Sequence, residues 1–303
     1  IPNGDASPVA RTKTAPAYNS RPERLRVALA GCQHFEAGFF TAYEHLSKED
    51  LDCVYMYGDY IYEGAGGAGG GSESGGKRQR VRDHVGGEIY SLDDYRRRYA
   101  QYHLDANLQA AHHSAPFICA FDDHEVDNDW ATLHEERGSP AQLFDMRRAM
   151  AFQAWYENLP VRQAQMPLGG KIQMYRRLDF GNLVRMQVTD NRSYRDQQLC
   201  DQRQKSPCRA EDSDAASVLG AQQEAWVGEG LVNSMRWTML ARQAMVRPYD
   251  LRKDGASEPW SSSDDWMGYP AARKRFKTMV TDRKLTNVVI ACGNSHRHIA
   301  AHI

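Results

Sequence analysis

Five short apolar runs in this 303-residue chain each end abruptly in side chains that bind metals or transfer protons. Sites in open α/β sheets lie beyond the carboxyl ends of the strands, so we expect these side chains to converge. One such end is unremarkable, but five of them predict a metal-hydrolase site. The residues are, in chain order, Cys32, Asp59 with Tyr62, Asp123 with His124, Asp190 with Arg192, and Asn294 with His296.

The residue types in this set indicate two kinds of cation. Asp59 directly follows Gly58, and a carboxylate in that position can bridge two metal ions that clamp a phosphoryl centre. The soft Cys32 thiolate, together with a phenolate such as Tyr62, suits a transition ion, with ferric iron a reasonable choice. Carboxylates and amide oxygens suit a hard ion such as calcium or magnesium. His296 suits several metals.

Two further residues fit phosphoryl chemistry. His124 follows Asp123 at a strand end, where it could protonate a leaving group or contact phosphate. Arg192 follows Asp190 and offers a planar, permanently charged fork for phosphate. Each residue alone also has an ordinary structural explanation. Cys32 could be a small buried hydrophobic residue, and Arg192 could belong to a structural ion pair.

The glycine-rich stretch after Tyr62 resembles a dinucleotide-binding fingerprint, because Gly64, Gly66 and Gly69 match G-x-G-x-x-G. The stretch that follows, KRQRVRDHVGG, shows no capped apolar helix, and that helix gives the fingerprint glycines their purpose. We therefore expect a surface loop beside the site mouth and not a nucleotide-binding loop.

The elements that must position these residues alternate between strands and helices. This alternation predicts an α/β fold with at least partly parallel sheets. Ser91 is a suitable helix cap, Pro140 a suitable first helical residue and Pro160 a helix stop. Predicted strands lie at 25–31, 52–58, 116–121, 183–189 and 287–293, and predicted helices at 91–113, 139–159, 222–247 and 270–284.

Composition excludes some classes of protein. Lys and Arg total 38 against 39 Asp and Glu, so no nucleic-acid-binding surface is indicated. No apolar run has the roughly 18 to 20 residues that a transmembrane span needs. Cys200 and Cys208 lie in one polar loop. They form either a local disulfide, which would favour an oxidising compartment, or two unpaired thiols.

Five motifs along nearly the whole chain resemble the PhoD-like alkaline phosphatases, a family with secreted bacterial phosphodiesterases and a streptomycete phospholipase D. The resemblance implies a metallophosphoesterase fold, with two mixed β-sheets face to face and flanked by helices. It also implies a catalytic domain over 21–303, with residues 1–20 as the tail of an N-terminal β-sandwich domain. The motifs are GDYIYE at 58–63, FDDHEVDNDW at 121–130, TDNRSYRD at 189–196, DDWMGYPAARKR at 264–275 and CGNSH at 292–296.

The resemblance also implies roles for individual residues. It makes Cys32, Asp59 and Tyr62 ferric iron ligands, with Asp59 bridging to calcium. It places the neighbouring metal positions at Asp123, Asn128, Asn294 and His296, and it places His124, Asp190 and Arg192 near the phosphoryl group. Two positions depart from the family pattern. Asn294 stands where the family usually has aspartate, which should weaken metal binding, and Asn191 stands where it commonly has threonine.

The implied function is a secreted hydrolase that cleaves phosphodiesters at alkaline pH, with phosphomonoesters as a second class of substrate. Metal-bound hydroxide would attack phosphorus, and the substrate would be a small phosphoester or a phospholipid. Two alternatives remain open. One is a phospholipase D that meets lipid through Trp226, Trp260 or Trp266, although core packing is the expected role of each. The other is a family member that Asn294 has weakened catalytically.

Overall fold

Two β-sheets form the centre of the protein in a computed structural model that describes residues 8–67, 80–198, 216–249 and 262–303. The first sheet has the order β1-β2-β3, and its strands are parallel. All four β2 residues are buried, as expected for a central strand covered on both faces. The strands are β1 (Val27–Ala30), β2 (Cys53–Met56) and β3 (Phe117–Cys119).

The second sheet has the order β4-β5-β6-β7 and is mixed. Its first two strands pair antiparallel, and the remaining pairs are parallel. As a result, the carboxyl ends of three of its four strands share one edge. The strands are β4 (Arg176–Phe180), β5 (Val184–Val188), β6 (Trp237–Ala241) and β7 (Val288–Ala291).

Helices flank both sheets, and two of them begin at side-chain caps. The Ser91 hydroxyl accepts a hydrogen bond from the Asp94 amide, and the Asp94 carboxylate accepts one from the Ser91 amide, which forms a capping box. Asp105 caps the next helix in the chain. The helices are α1 (Thr41–Leu46), α2 (Leu92–His103), α3 (Ala106–Ser114), α4 (Ala141–Asn158), α5 (Gly220–Gly230) and α6 (Pro270–Asp282).

One hydrophobic core joins the two sheets. Tyr55 and Met56 of the first sheet belong to the same buried cluster as Met186, Val188 and Ala241 of the second. A second cluster packs β6 against α5, α6 and the short 3₁₀ turn Trp266–Gly268. The predicted α/β fold with two sheets flanked by helices is confirmed. No helix in the described ranges is long and apolar enough to cross a membrane.

Two helix predictions were wrong in part. The segment 222–247 is helical only to Gly230, because Trp237–Ala241 forms β6 and pairs with β5 on one side and β7 on the other. Thr238, Leu240 and Ala241 are buried in this central strand. The burial outweighs the local sequence pattern that predicted a helix. The segment 91–113 is two helices, since Asp105 starts a new one.

Some predictions concern residues outside the described ranges. These residues are Gly69, Cys200, Cys208 and Trp260.

Candidate metal centre

The strand exits of the first sheet are fastened to one another by backbone hydrogen bonds. The Tyr57 amide donates to the Ala30 carbonyl at 2.9 Å, and the Cys32 amide donates to the Gly58 carbonyl at 3.1 Å. This pairing continues the parallel ladder of β1 and β2 past its last residues. It therefore brings Cys32 beside Asp59 at the edge where the predicted site residues are expected.

Candidate ligands at this edge have an unusual backbone conformation. Eight non-glycine residues in the described ranges have positive φ, and five of them belong to the candidate site. Left-handed conformations cost energy for residues with a Cβ atom, and they persist where the surrounding structure holds them. Such strain is typical of functional sites. The five residues are Cys32 (51°), Asp59 (51°), Asp129 (54°), Asn294 (64°) and His296 (52°).

The first group of donors, here called the cysteine cluster, comprises Cys32, Asp59, Tyr62 and His296. The Cys32 thiol donates to Asp59 Oδ2 over 3.2 Å, and the Tyr62 hydroxyl donates to the same oxygen over 3.3 Å. The Tyr62 hydroxyl also lies 3.2 Å from His296 Nε2. Potential ligand atoms of Cys32, Asp59 and His296 all lie within 4.8 Å of one another. The structure thus brings together the predicted iron ligands.

A second group shares Asp59 with the first. Asp59, Asp123 and His124 also offer ligand atoms within 4.8 Å of one another. His124 Nδ1 lies 2.7 Å from Glu63 Oε2. Burial alone would lower the pKa of His124, but the carboxylates of Glu63 and Asp123 raise this pKa well above its usual value. In the cation-free protein the protonated form of His124 is therefore favoured beside Glu63.

The third group, here called the aspartate cluster, comprises Asp123, Asp129 and Asp264, whose ligand atoms again lie within 4.8 Å of one another. The Asp129 amide donates to Asp123 Oδ2 at 2.8 Å, which fixes the turn that carries both residues. Because Asp59 and Asp123 each belong to two groups, the three groups form one continuous run of donors.

Arg192 lies inside this run and is fully buried. Its Nε donates to Asp122 at 2.5 Å, and its Nη1 and Nη2 donate to Asp264 at 2.7 and 2.8 Å. The same guanidinium lies 3.4 Å from Asp123. All three nitrogens of Arg192 therefore hold carboxylates in place. The expected contact with phosphate stays a prediction.

Burial and charge explain how the two ends of the run differ electrostatically. Burial and then the Asp123 carboxylate raise the pKa of Asp59 well above its usual range. Burial and the Asp59 carboxylate likewise raise the pKa values of Cys32 and Tyr62. Burial alone would raise the pKa of Asp264, but the guanidinium groups of Arg192 and Arg195 lower it instead.

These groups fit bound cations. Asp59 Oδ1 is buried and has no hydrogen-bond partner, and such an atom usually costs free energy. A cation would satisfy it, and its charge would reverse the repulsion that raises the pKa of Asp59. Thiol, phenol and imidazole donors in the cysteine cluster suit a transition ion. The carboxylates of the aspartate cluster suit a hard cation.

Glu125 holds the two strand exits that carry most of these carboxylates. Its carboxylate accepts hydrogen bonds from the backbone amides of Asp59 at 3.1 Å, Tyr60 at 2.5 Å and Asp122 at 2.8 Å. Gly58 lies between these exits, and a Cβ atom there would come within 3.0 Å of the Asp122 amide nitrogen. The exits of β2 and β3 therefore lie too close together for any residue but glycine.

The remaining predicted site residues lie around the run and use their polar atoms locally. The Asn128 side-chain amide donates to Asp129 Oδ2 and Glu136 Oε2. The Asn294 amide donates to Asp264 Oδ2 at 2.8 Å. Asp190 Oδ1 accepts the backbone amides of Arg192 and Ser193, which shapes the turn after β5. The site roles of Asn128, Asn294 and Asp190 stay predictions.

The sequence reasoning did not single out several residues that the structure places in the site. Asp129 and Asp264 are in the aspartate cluster, Glu63 pairs with His124, and Glu125 fixes the backbone. All four lie within or beside the quoted motifs GDYIYE, FDDHEVDNDW and DDWMGY. Their residue type, a carboxylate within a motif, was visible in the sequence. Their partners were not, because these come from distant parts of the chain.

The fold and the donor set together define a two-sheet α/β protein with a candidate centre for several cations beyond its strand ends. Comparison with known proteins gives a more specific result. The family description PhoD-like phosphatase matches residues 27–303, and the chain belongs to this family.

The chain is also similar to a characterised protein and to a solved structure. Alkaline phosphatase D of Bacillus subtilis (strain 168) is 39% identical over 300 residues, which is 99% of this chain and 50% of that protein. A solved structure titled Structure of PhoD superposes with a TM-score of 0.89 and 40% identity, covering 96% of this chain and 54% of that one. The chain thus spans about half the length of the relatives it matches.

Proposed function

We propose that this chain is the catalytic part of a metal-dependent phosphoester hydrolase that is active at alkaline pH. Phosphodiesters would be its main substrates, and phosphomonoesters a second class of substrate. The observation that carries the proposal is the continuous run of donors, in which Asp59 and Asp123 each belong to two groups. Family membership and the similarity to alkaline phosphatase D support the reaction class.

The two clusters suggest which ions the residues would hold. Cys32, Asp59, Tyr62 and His296 would hold ferric iron, and the aspartate cluster would hold calcium, with Asp59 shared between neighbouring ions. Bound cations would supply Lewis acidity towards a phosphoryl oxygen and would lower the pKa of water. Asn128 and Asn294 lie beside the aspartate cluster and would contribute at its edge.

His124 and Glu63 would handle the proton of the leaving group. Glu63 Oε2 lies 2.7 Å from His124 Nδ1 and leaves Nε2 of the imidazole as the atom that would face the leaving oxygen. A His124 cation at that place would donate its Nε2 proton as the ester bond breaks. Glu63 orients the ring and stabilises the charge on it.

The phospholipase alternative receives no specific support from the described residues. Trp266 is buried and packs under the Arg242 guanidinium, 3.7 Å from ring centroid to Cζ. Trp226 packs its ring against Tyr175. An extracytoplasmic location also belongs to the proposal, since the resemblance implies it, and fractionation of the producing cells would test it.

Elemental analysis combined with kinetics tests the proposed function. We expect bound iron and calcium, together with hydrolysis of bis-p-nitrophenyl phosphate that chelators abolish and added metals restore. We expect a visible charge-transfer band from the Tyr62 phenolate on ferric iron. Phosphatidylcholine vesicles presented at equal phosphodiester concentration should be poorer substrates. Unchanged hydrolysis after complete metal removal would contradict the proposal, and preferred cleavage of vesicles would favour the phospholipase alternative.

A further inference from the structure

The Tyr57 ring lies against two glycines that directly precede candidate ligands. Gly31 precedes Cys32, and Gly293 precedes Asn294. A Cβ atom at either glycine would come within 3.0 Å of the Cδ2 and Cε2 atoms of the Tyr57 ring, closer than real Cβ atoms approach other atoms. The same ring edge therefore packs directly on the backbone of both loops.

This packing links three strand exits from different parts of the fold. Tyr57 directly follows β2 and lies two residues before Asp59. Gly31 follows β1, and Gly293 follows β7 of the second sheet. The exits of β1 and β2 are also joined by backbone hydrogen bonds, whereas the Gly293 amide donates to Gln243 in its own sheet. The ring thus sets how closely the β7 loop approaches the first sheet.

Two other contacts between these loops involve candidate ligands. The Tyr62 hydroxyl lies 3.2 Å from His296 Nε2, and the Asn294 backbone amide interacts with the Cys32 sulfur. Metal binding would rearrange both of these contacts because it uses the same atoms. Tyr57 is placed differently, since its ring packs on the main chain of the two loops and not on ligand atoms.

The polar end of Tyr57 also reaches the site. Burial raises the pKa of the Tyr57 hydroxyl, and the neighbouring Cys32 side chain raises it further. Tyr57 therefore packs on the loop backbone through one ring edge, and its hydroxyl lies near a candidate sulfur ligand.

We infer that Tyr57 is a positioning residue that sets the distance between the Cys32–Asp59 side and the Asn294–His296 side of the cysteine cluster. Its ring fills the space between the exits of β1 and β7, and the two glycines allow the backbones to touch it. The affinity of the cluster for iron then depends on a residue outside the predicted set of ligands. The inference rests on the proposed function, because it assumes that the cluster holds a metal.

A size-exchange experiment tests this role. Gly293 has ordinary backbone geometry, so Gly293→Ala adds volume without conformational strain. We expect Tyr57→Ala and Gly293→Ala each to weaken iron retention against a chelator by about tenfold or more, as for other residues that support ligands. In the double variant, the methyl group of Gly293→Ala occupies the space that the Tyr57 ring has vacated. The double variant should therefore retain at least as much iron as Tyr57→Ala alone. Tyr57→Phe should retain most of the iron.

Tyr156→Ala is the matched control, since Tyr156 is also half-buried against the same core but lies on α4. It should lose thermal stability while it retains iron. Equal losses of iron in Tyr57→Ala and Tyr156→Ala, or an equal effect of Gly293→Ala in both backgrounds, would overturn the inference. Should Tyr57→Ala not fold, Tyr57→Leu replaces it in the same design. Wild-type protein that hydrolyses diesters without any metal would contradict the proposed function instead.

Discussion

The cysteine cluster and the aspartate cluster lie side by side but hold their charges in opposite ways. In the cysteine cluster, burial and neighbouring carboxylates raise the pKa values of Asp59, Cys32 and Tyr62, so the neutral forms are favoured. In the aspartate cluster, Arg192 and Arg195 lower the pKa of Asp264 and keep it ionised. Asp129 of the same cluster differs, because burial and the Asp264 carboxylate raise its pKa well above its usual value. The positive charge built into the aspartate cluster therefore acts on Asp123 and Asp264.

This difference indicates how the two clusters would respond to cations. A cation at the cysteine cluster would supply the missing charge and convert neutral donors into ligands, so binding there would be coupled to proton release. A cation at the aspartate cluster would meet Asp123 and Asp264, whose pKa values arginine already lowers, beside Asp129, whose pKa is raised. We therefore expect tight, pH-dependent binding at the first cluster and weaker binding at the second.

The largest expected effect comes from breaking the arginine support of the aspartate cluster. Arg192→Met leaves the carboxylates of Asp122 and Asp264 buried without their partner, which should cost about 3–5 kcal/mol of unfolding free energy. Urea denaturation in the presence of chelator measures this loss. Arg185→Met is the control, because Arg185 pairs with Asp179 in a less enclosed place. An equal loss in both variants would show that burial of the network is unimportant.

The next effect concerns the sulfur ligand of the cysteine cluster. Cys32→Ala should lower iron affinity by about 10- to 100-fold and reduce diester hydrolysis, while calcium retention stays unchanged. Elemental analysis after dialysis, together with the initial rate, measures both quantities. Cys53→Ala removes another buried thiol from β2 outside the cluster and should leave iron in place. Iron retained at the wild-type level in Cys32→Ala would show that the two clusters do not differ in metal preference.

A third experiment adds charge to the aspartate cluster. The Asn294 amide donates to Asp264 Oδ2 at 2.8 Å, so Asn294→Asp replaces a hydrogen bond by repulsion between two carboxylates. We expect a lower melting temperature in chelator but roughly tenfold tighter calcium binding, about 1.4 kcal/mol, because a cation can bridge the pair.

The control for this experiment is Asn287→Asp. The Asn287 amide donates to the carbonyls of Val232 and Met235, so this change should lower stability with no gain in calcium binding. Thermal melts with and without calcium give both quantities. A chelated Asn294→Asp protein as stable as the wild type would mean that Asp264 accepts the extra charge without a cation. Catalysis unchanged by the substitution would also argue against Asn294 as the cause of a weakened enzyme.

The smallest effect concerns the pH dependence of the cation-free protein. The native pKa of Asp59 is raised above 3.8, so the native state binds this proton more tightly than the unfolded state does. The resulting stability is present below pH 3.8 and is lost as the pH rises through the raised pKa. Asp59→Asn should remove this dependence and stabilise the chelated protein by about 1 kcal/mol at pH 8. Denaturation curves between pH 4 and 8 test this, and a destabilised variant at pH 8 would contradict it.

The sequence was sufficient for features that depend on local pattern. Five strands were predicted because each is a short apolar run, and the ligands after them were predicted because a strand exit is visible in the chain itself. β4 was not predicted, since Arg176–Phe180 reads RRLDF and is only half-buried. It is a strand because it pairs with β5, and such pairing is not visible in a single segment.

Partners that meet across long stretches of chain were equally hidden. Arg192 has the sequence context of a phosphate ligand, but its three carboxylate partners lie about 70 positions away on either side. The role of Asp264 could not be predicted from the sequence for the same reason. The general lesson is that residue type identified the donors, whereas their charge state depends on neighbours that only the folded chain supplies.

The three amide hydrogens that Glu125 accepts also have a kinetic consequence. Exchange of these hydrogens with solvent requires the carboxylate to leave, and its departure would release the exits of β2 and β3 together. The amides of Asp59, Tyr60 and Asp122 should therefore open as one cooperative unit, with similar protection in a deuterium-labelling experiment. The two loops that carry most of the donors should therefore open together and not independently.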